Sequence, residues 1–119
     1  MAYVDGFVLP VPKKNLPAYQ ALAEKVSKIW MEHGALEYRE CVLEDGDLPV
    51  GIPFRTAAQC GPDETVVFAY IRYNSRAHRD EVNARIAADE RLSHLCSGDI
   101  LPFDLSKMVW GGFETIVSQ

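Results

Sequence analysis

The stretch Glu64–Asn74 (ETVVFAYIRYN) predicts a strand that is apolar on both faces. Side chains alternate across a strand, so Val66, Phe68 and Tyr70 project to one side while Val67, Ala69, Ile71 and Tyr73 project to the other. A sheet backed by helices on one side only would leave one of those rows in water. Both rows must therefore be covered. The chain has 119 residues, which is the size of one domain spanning 1–119 and leaves little spare length for a second covering layer. A second copy of the chain is the simplest cover.

The rest of the sequence supplies the other elements. Ala2–Val11 reads as a central strand, with Tyr3, Phe7 and Leu9 set against Val4, Val8 and Val11, and with Pro10 and Pro12 ending its pairing. A helix follows from a cap at Asn15, with Pro17 in its first turn. Tyr19, Leu22, Val26, Ile29, Trp30 and His33 recur at three- and four-residue steps, and Gly34 stops it. Ala35–Leu43 is a second, more polar strand nearer an edge. Glu44–Asp63 is a long connection rich in glycine and proline, within which Phe54–Cys60 forms a helical turn or an extra strand. Ser75 caps a helix to about Ala88 with Ala77, Val82 and Ile86 inward, and Asp89–Leu95 is a further helical turn. Ser97–Ser106 is an extended loop, and Lys107–Ser118 a last strand whose Gly111–Gly112 pair permits a bulge or a close backbone approach. The order is strand–helix–strand twice over. This predicts an α+β, ferredoxin-like βαββαβ antiparallel sheet with two helices on one face.

Composition excludes several functions. The net charge of −5 is the opposite of a nucleic-acid footprint, and Arg72, Arg76 and Arg79 lie among Asp80 and Glu81 as an ion-paired, solvated face. No apolar run is long enough for a membrane span, and the first residues read as a strand, not a signal peptide. The three cysteines, Cys41, Cys60 and Cys96, form no CxxC pair and no even disulfide set, which fits a reducing cytoplasm. Cys41 and Cys96 are expected to be buried as small hydrophobes. His33, His78 and His94 lack metal-ligand spacing, so neither a metal nor a cofactor is expected, and His33 serves the dipole and last carbonyls of its helix. No nucleophile or phosphate-loop motif is present.

The remaining candidates are polar or aromatic residues on strands that otherwise look buried. Asp5 and Glu114 lie on the outer-sequence strands, Tyr38, Arg39 and Glu40 on the second, and Tyr70 and Arg72 on one face of the third. A buried carboxylate opposite a buried arginine would be hydrogen-bonded, with its pKa lowered, and could orient a ligand. Asp5 and Arg39 are thus the catalytic candidates. Tyr38, Tyr70 and Trp110 are the ligand-binding candidates, beside Trp30 and Phe68, in a cleft between helices and sheet. An internal ion pair and ordinary core filling explain the same residues without a ligand.

The segments KKNLPAYQALAEKVSKIWMEHGALEYREC, DETVVFAYIRYNSRAHRDEVNARIAAD and PFDLSKMVWGGFE closely resemble the YbaA-like family, small bacterial proteins of unknown function. The resemblance runs from Tyr3 to Val117 and implies the dimeric α+β barrel superfamily, in which two ferredoxin-like protomers pack sheet against sheet. One departure is local: Asp89, Glu90, Arg91 and Leu92 stand where relatives commonly carry Asp-Pro-Arg-Leu. Superfamily members include cofactor-free monooxygenases, muconolactone-type isomerases and haem-degrading enzymes. The Asn, Trp and His of the haem-degrading type have no counterpart here, the first strand offering Asp5. Fold alone does not carry function across such a group. Two readings result: a dimer that binds or transforms a small aromatic or lactone-like molecule, and a non-enzymatic dimeric interaction module.

Overall fold

A computed structural model describes residues 1–97 and 101–119. Its elements are β1 (Tyr3–Pro12), α1 (Leu16–Glu32), β2 (Glu37–Val42), α2 (Phe54–Ala57), β3 (Glu64–Tyr73), α3 (Arg76–Ala87), α4 (Glu90–Leu95) and β4 (Val109–Glu114). Short 3-10 turns at Lys13–Asn15 and Leu105–Lys107 precede α1 and β4. The strands form one antiparallel sheet in the order β2-β3-β1-β4. The two strands with the most apolar sequences, β1 and β3, are the two in the middle. That follows from sequence: only a central strand can bury both rows of side chains and satisfy backbone groups on both edges.

Several local expectations need correction. β1 continues through both prolines, pairing Pro10 with Val66 and Pro12 with Glu64, because proline lacks only a donor and its carbonyl can still accept. Val11 shares the face of Leu9 and is fully buried, as strict alternation requires. Asn15 does not cap α1; its amide donates to the Pro102 carbonyl (3.1 Å) and so ties the start of the helix to the segment before β4. Ala77 is exposed, and the inner stripe of α3 is Val82 and Ile86. The Gly111–Gly112 pair makes no bulge, since Gly6 and Asp5 face the two glycines one to one. Gly112 instead accommodates the Tyr3 ring, whose Cε2 lies 2.8 Å from where a Cβ would stand. The expected loop at Ser97–Ser106 lies partly outside the described residues, at 98–100.

Other expectations hold. Ser75 caps α3 through the His78 amide (3.1 Å), and Gly34 ends α1 with φ +111°. α1, α3 and α4 cover one face of the sheet. Ile29, Ile71, Tyr73, Val82 and Ile86 form the core at one end, and Leu9, Val11, Tyr19 and Val67 form it at the other. Phe7 packs against both clusters.

The second sheet face is only partly covered. The extents of 38 × 38 × 20 Å match one helix layer on one sheet layer. α2, at the end of the long connection, folds over one end of this face, with Phe54 edge-on to Phe68 at 6.3 Å. Arg55 anchors it by donating to the Glu64 and Gly61 carbonyls (2.9 and 2.8 Å). Val66 and Pro10 are buried there. The remainder, around Val4, Val8, Val109 and Phe113, is open; Phe113 is 62% exposed and its ring lies over Gly6 and Gly111.

Candidate functional site

A cavity of about 220 Å³ lies between α1 and the sheet, where the two core clusters separate. It exists because the facing positions at the middle of the layer are small: Ala23 on α1 and Ala69 on β3 leave a gap that Leu22 and Val26 do not fill. Phe7, Trp30, Tyr38 and Phe103 supply aromatic walls, and Leu92 and Cys96 close the α4 end. The lining is almost wholly apolar, with one exception.

That exception is Glu40. Strand parity places Tyr38 and Glu40 on the helix-facing side of β2, opposite Ile71 and Ala69 of β3. The Tyr19 hydroxyl donates to Glu40 Oε1 (2.7 Å) and the Tyr38 hydroxyl donates to Oε2 (2.8 Å). Burial pushes the Glu40 carboxyl above the usual range, and the two phenolic donors pull it partly back. Burial, with the Glu40 charge beside them, raises both phenols far above their ordinary values, so they remain donors. The trio stands in the wall between the cavity and a more polar, open groove of about 380 Å³ along α1 and β2, lined by Gln20, Glu24, Ser27 and Cys41. A carboxyl in that position can hold a ligand's donor or exchange a proton with it.

The sequence candidates divide between the two sheet faces. Tyr38 enters the cavity. Arg39 and Tyr70 lie on the opposite, open face, where both meet Glu37: Arg39 Nε donates to Oε2 (3.0 Å), the Tyr70 hydroxyl to the same oxygen (3.0 Å), and Arg72 Nε to Oε1 (3.3 Å). Those hydrogen bonds, Arg39's first, hold the Glu37 carboxyl below its usual range. Asp5 faces the helices, but its arginine is Arg79 of α3, not Arg39; Nη1 donates to Oδ1 (2.9 Å), with Asp5 buried and the Arg79 side chain 11% exposed. The Asp5 pKa goes up, not down as expected, because loss of hydration outweighs the Arg79 charge. Arg79 is accordingly not part of a solvated face. Trp110 stacks on Phe7 (6.2 Å, 15° between planes), exposed at the β4 edge and behind the cavity wall. Glu114 is exposed on the same strand.

His33 Nε2 hydrogen-bonds Asp89 Oδ2 (2.7 Å), and the last carbonyl of its turn is taken by Arg85 (3.0 Å). Cys41 and Cys96 are exposed, because β2 is an edge strand and Cys96 sits past the last turn of α4. Among the described residues, no three histidine, cysteine or acidic side chains are grouped so as to hold a metal ion.

Sequence reasoning named Glu40 but gave it no role. The available signal was parity with Tyr38; the missing one was Tyr19, which only the packing of α1 brings to the same carboxyl.

The architecture is that of a small α+β protein with one antiparallel sheet and an apolar cavity beneath its longest helix. Residues 2–105 match the model of a family described as "Protein of unknown function (DUF1428)", and the chain belongs to that family. It is 39% identical over 121 residues to the "Uncharacterized protein YbaA" of Escherichia coli (strain K12), the match covering the whole of both chains. The same figures hold for the protein of that name in Shigella flexneri. Among solved structures, the "De novo designed protein Foldit4" matches 97% of this chain and 99% of its own, with a TM-score of 0.50 and 10% identity, a likeness of fold alone. Among the described residues, no helix is long and apolar enough to cross a membrane.

Proposed function

We propose that this protein is a homodimer of ferredoxin-like protomers, a dimeric α+β barrel, that holds a small flat molecule, aromatic or lactone-like, in the cavity beneath α1. The observation that carries the ligand reading is Glu40, a carboxyl set between two tyrosine donors in the wall of an otherwise apolar cavity. Ligand sites have this composition: mostly apolar, with a few convergent polar groups. The volume suits a single ring with a short arm, since a dry apolar cavity of about 150 Å³ already accepts benzene. Where the ligand is transformed, Glu40 is the proton-transferring group. Three unpaired cysteines favour a reducing cytoplasm as its place of work.

The sheet order and the repeated strand–helix–strand pattern support the ferredoxin-like reading. The dimer rests on the uncovered part of the second face. Phe68, Val109 and Phe113 are exposed there beside half-buried Val4 and Val8. Burying several hundred square ångströms per protomer, at roughly 25 cal/mol per Å², would offset the cost of association. The same exposed face supports the second reading, a dimeric module that works by binding another macromolecule.

Thermal-shift titration with neutral single-ring compounds such as benzyl alcohol and phenethyl alcohol tests the cavity. Stabilisation is expected in the natural chain and is abolished by Ala23→Leu, which fills the space beneath α1. Stabilisation that survives Ala23→Leu places binding elsewhere, and no stabilisation by any ring compound favours the interaction module. Light scattering tests the assembly: Phe113→Glu is expected to give folded monomers, whereas a natural chain that is monomeric at micromolar concentration refutes the barrel.

A further inference from the structure

The charge class of the ligand can be read from what surrounds Glu40. A carboxylate has about four lone-pair positions on its two oxygens. Tyr19 and Tyr38 occupy one on each oxygen, and both phenols are donors, so the arrangement is that of an ionised acceptor. Yet no cation accompanies it. Among the described residues, neither the cavity nor the adjoining groove is lined by a lysine, arginine or histidine. Gly98, Asp99 and Ile100 carry no basic group either. Asp5, the buried carboxylate on this side of the sheet, does have its arginine, whereas Glu40 is half-buried without one. Glu40 is therefore an acidic group for which the fold supplies hydrogen bonds but no counter-charge, an arrangement that is costly until a cation arrives.

Aromatic rings surround the same space. Trp30 and Tyr38 lie 6.3 Å apart, and Tyr19 and Phe103 meet edge-on at 5.5 Å. All four line the cavity, as does Phe7. Aromatic walls with one carboxylate are the setting in which an organic ammonium group is recognised.

We propose that the ligand is an organic monocation, an apolar amine whose ammonium group reaches Glu40 while its ring fills the space among Trp30, Tyr38 and Phe103. The inference rests on the cavity reading above and adds the charge. It excludes carboxylates and phosphates, because an anion would meet Glu40 with nothing to neutralise either charge. Among the described residues, the groups able to modulate the site are few: Tyr19 and, in the adjoining groove, Glu24 from α1; Tyr38 and Cys41 from β2; Cys96 after α4. Among the described residues, β1, β3 and the segment before β4 contribute only Phe7, Leu9, Ala69, Ile71, Phe103 and Met108 to the cavity, none of which titrates.

Three probes of nearly the same shape separate the possibilities: phenethylamine, phenethyl alcohol and phenylacetate, titrated calorimetrically into the full chain. Phenethylamine is expected to bind at least about ten-fold more tightly than the alcohol, the difference a charged hydrogen bond makes, and phenylacetate not at all. Glu40→Gln should reduce the amine to about the level of the alcohol, while the alcohol, which loses only one neutral donor's contact, should change much less. In the natural chain the amine should bind more tightly at about pH 8 than at about pH 5, because Glu40 must ionise, a readout that needs no variant. An alcohol equal to the amine, or an amine preference that survives Glu40→Gln, overturns the cation while leaving the cavity in place. Binding by none of the three overturns the cavity and the cation together.

Discussion

Arg79→Met removes one half of the buried pair that fastens α3 to the middle of the sheet. The Asp5 and Arg79 side chains are 4% and 11% exposed, their hydrogen bond is 2.9 Å, and the guanidinium also lies 5.0 Å over the Tyr3 ring. Methionine keeps most of the side-chain volume, so the change isolates the charge. Deleting one partner of such a pair costs about 3–5 kcal/mol, since the other is left buried and alone. That is a large share of the roughly 5–15 kcal/mol that holds a domain together. With a urea dependence of about 1.5 kcal/mol per molar, the midpoint should fall by about 2 M or more. The loss should also depend on pH. The Asp5 carboxyl is already raised by desolvation, and Arg79 is the main influence holding it down. Without Arg79 it rises further, so the folded variant binds a proton above the unfolded value of 3.8. Stability tied to such a group is fully present below the unfolded pKa and is lost as pH rises through the folded one. The deficit of Arg79→Met relative to the natural chain should therefore narrow as pH is lowered from neutrality. Carboxylates out of reach of Arg79 are the same in both proteins and cancel, and the other carboxylate it touches, Asp80 (2.9 Å), is 59% exposed, so that contact is weak. Urea melts at fixed protein concentration, followed by far-UV circular dichroism at several pH values, measure both effects. A deficit below about 1 kcal/mol, or one that does not change with pH, refutes the reasoning. Replacing both partners, Asp5→Val with Arg79→Met, should recover much of the loss.

Further predictions follow from other contacts. Tyr38→Phe removes a donor to a half-buried carboxyl and should cost about 1 kcal/mol, with the Glu40 carbon-13 titration moving upward because one of its two lowering hydrogen bonds is gone. Asp89 is held well below the usual carboxylate range by Arg91 and then His33, so its stabilisation is present above the unfolded pKa of 3.8 and fades as pH falls below it. Asp89→Asn should flatten the acid limb of a plot of urea midpoint against pH; an unchanged limb would count against the His33–Asp89–Arg91 cluster. Gly112→Ala should displace Tyr3 from beneath Arg79 and lower the melting temperature by the equivalent of about 1–3 kcal/mol, an overpacking cost read by calorimetry. Gly34→Ala would make only ordinary contacts, the nearest with Arg85 at 3.5 Å, yet should cost about 1 kcal/mol through its φ of +111°.

The sequence alone determined the elements and their layering. Two-sided apolar strands had to be central, a 3.6-residue stripe from Tyr19 to Trp30 had to face them, and Ser75 and Gly34 marked helix ends by chemistry that acts within a few residues. Such signals are local, so they survive without knowledge of the fold. Tertiary structure decided which distant groups met. Asp5 found Arg79 across 74 positions, leaving Arg39 to Glu37 on the other face. Tyr19 reached Glu40 only because α1 crosses β2 at that turn. Exposure of Cys41, burial of Val66 under α2 and the gap left by Ala23 and Ala69 depend likewise on what lies opposite, which no single segment encodes. Periodicity settles which way a side chain points. Partnership, and the cavity that makes Glu40 a candidate site, are properties of packing between elements far apart in the chain.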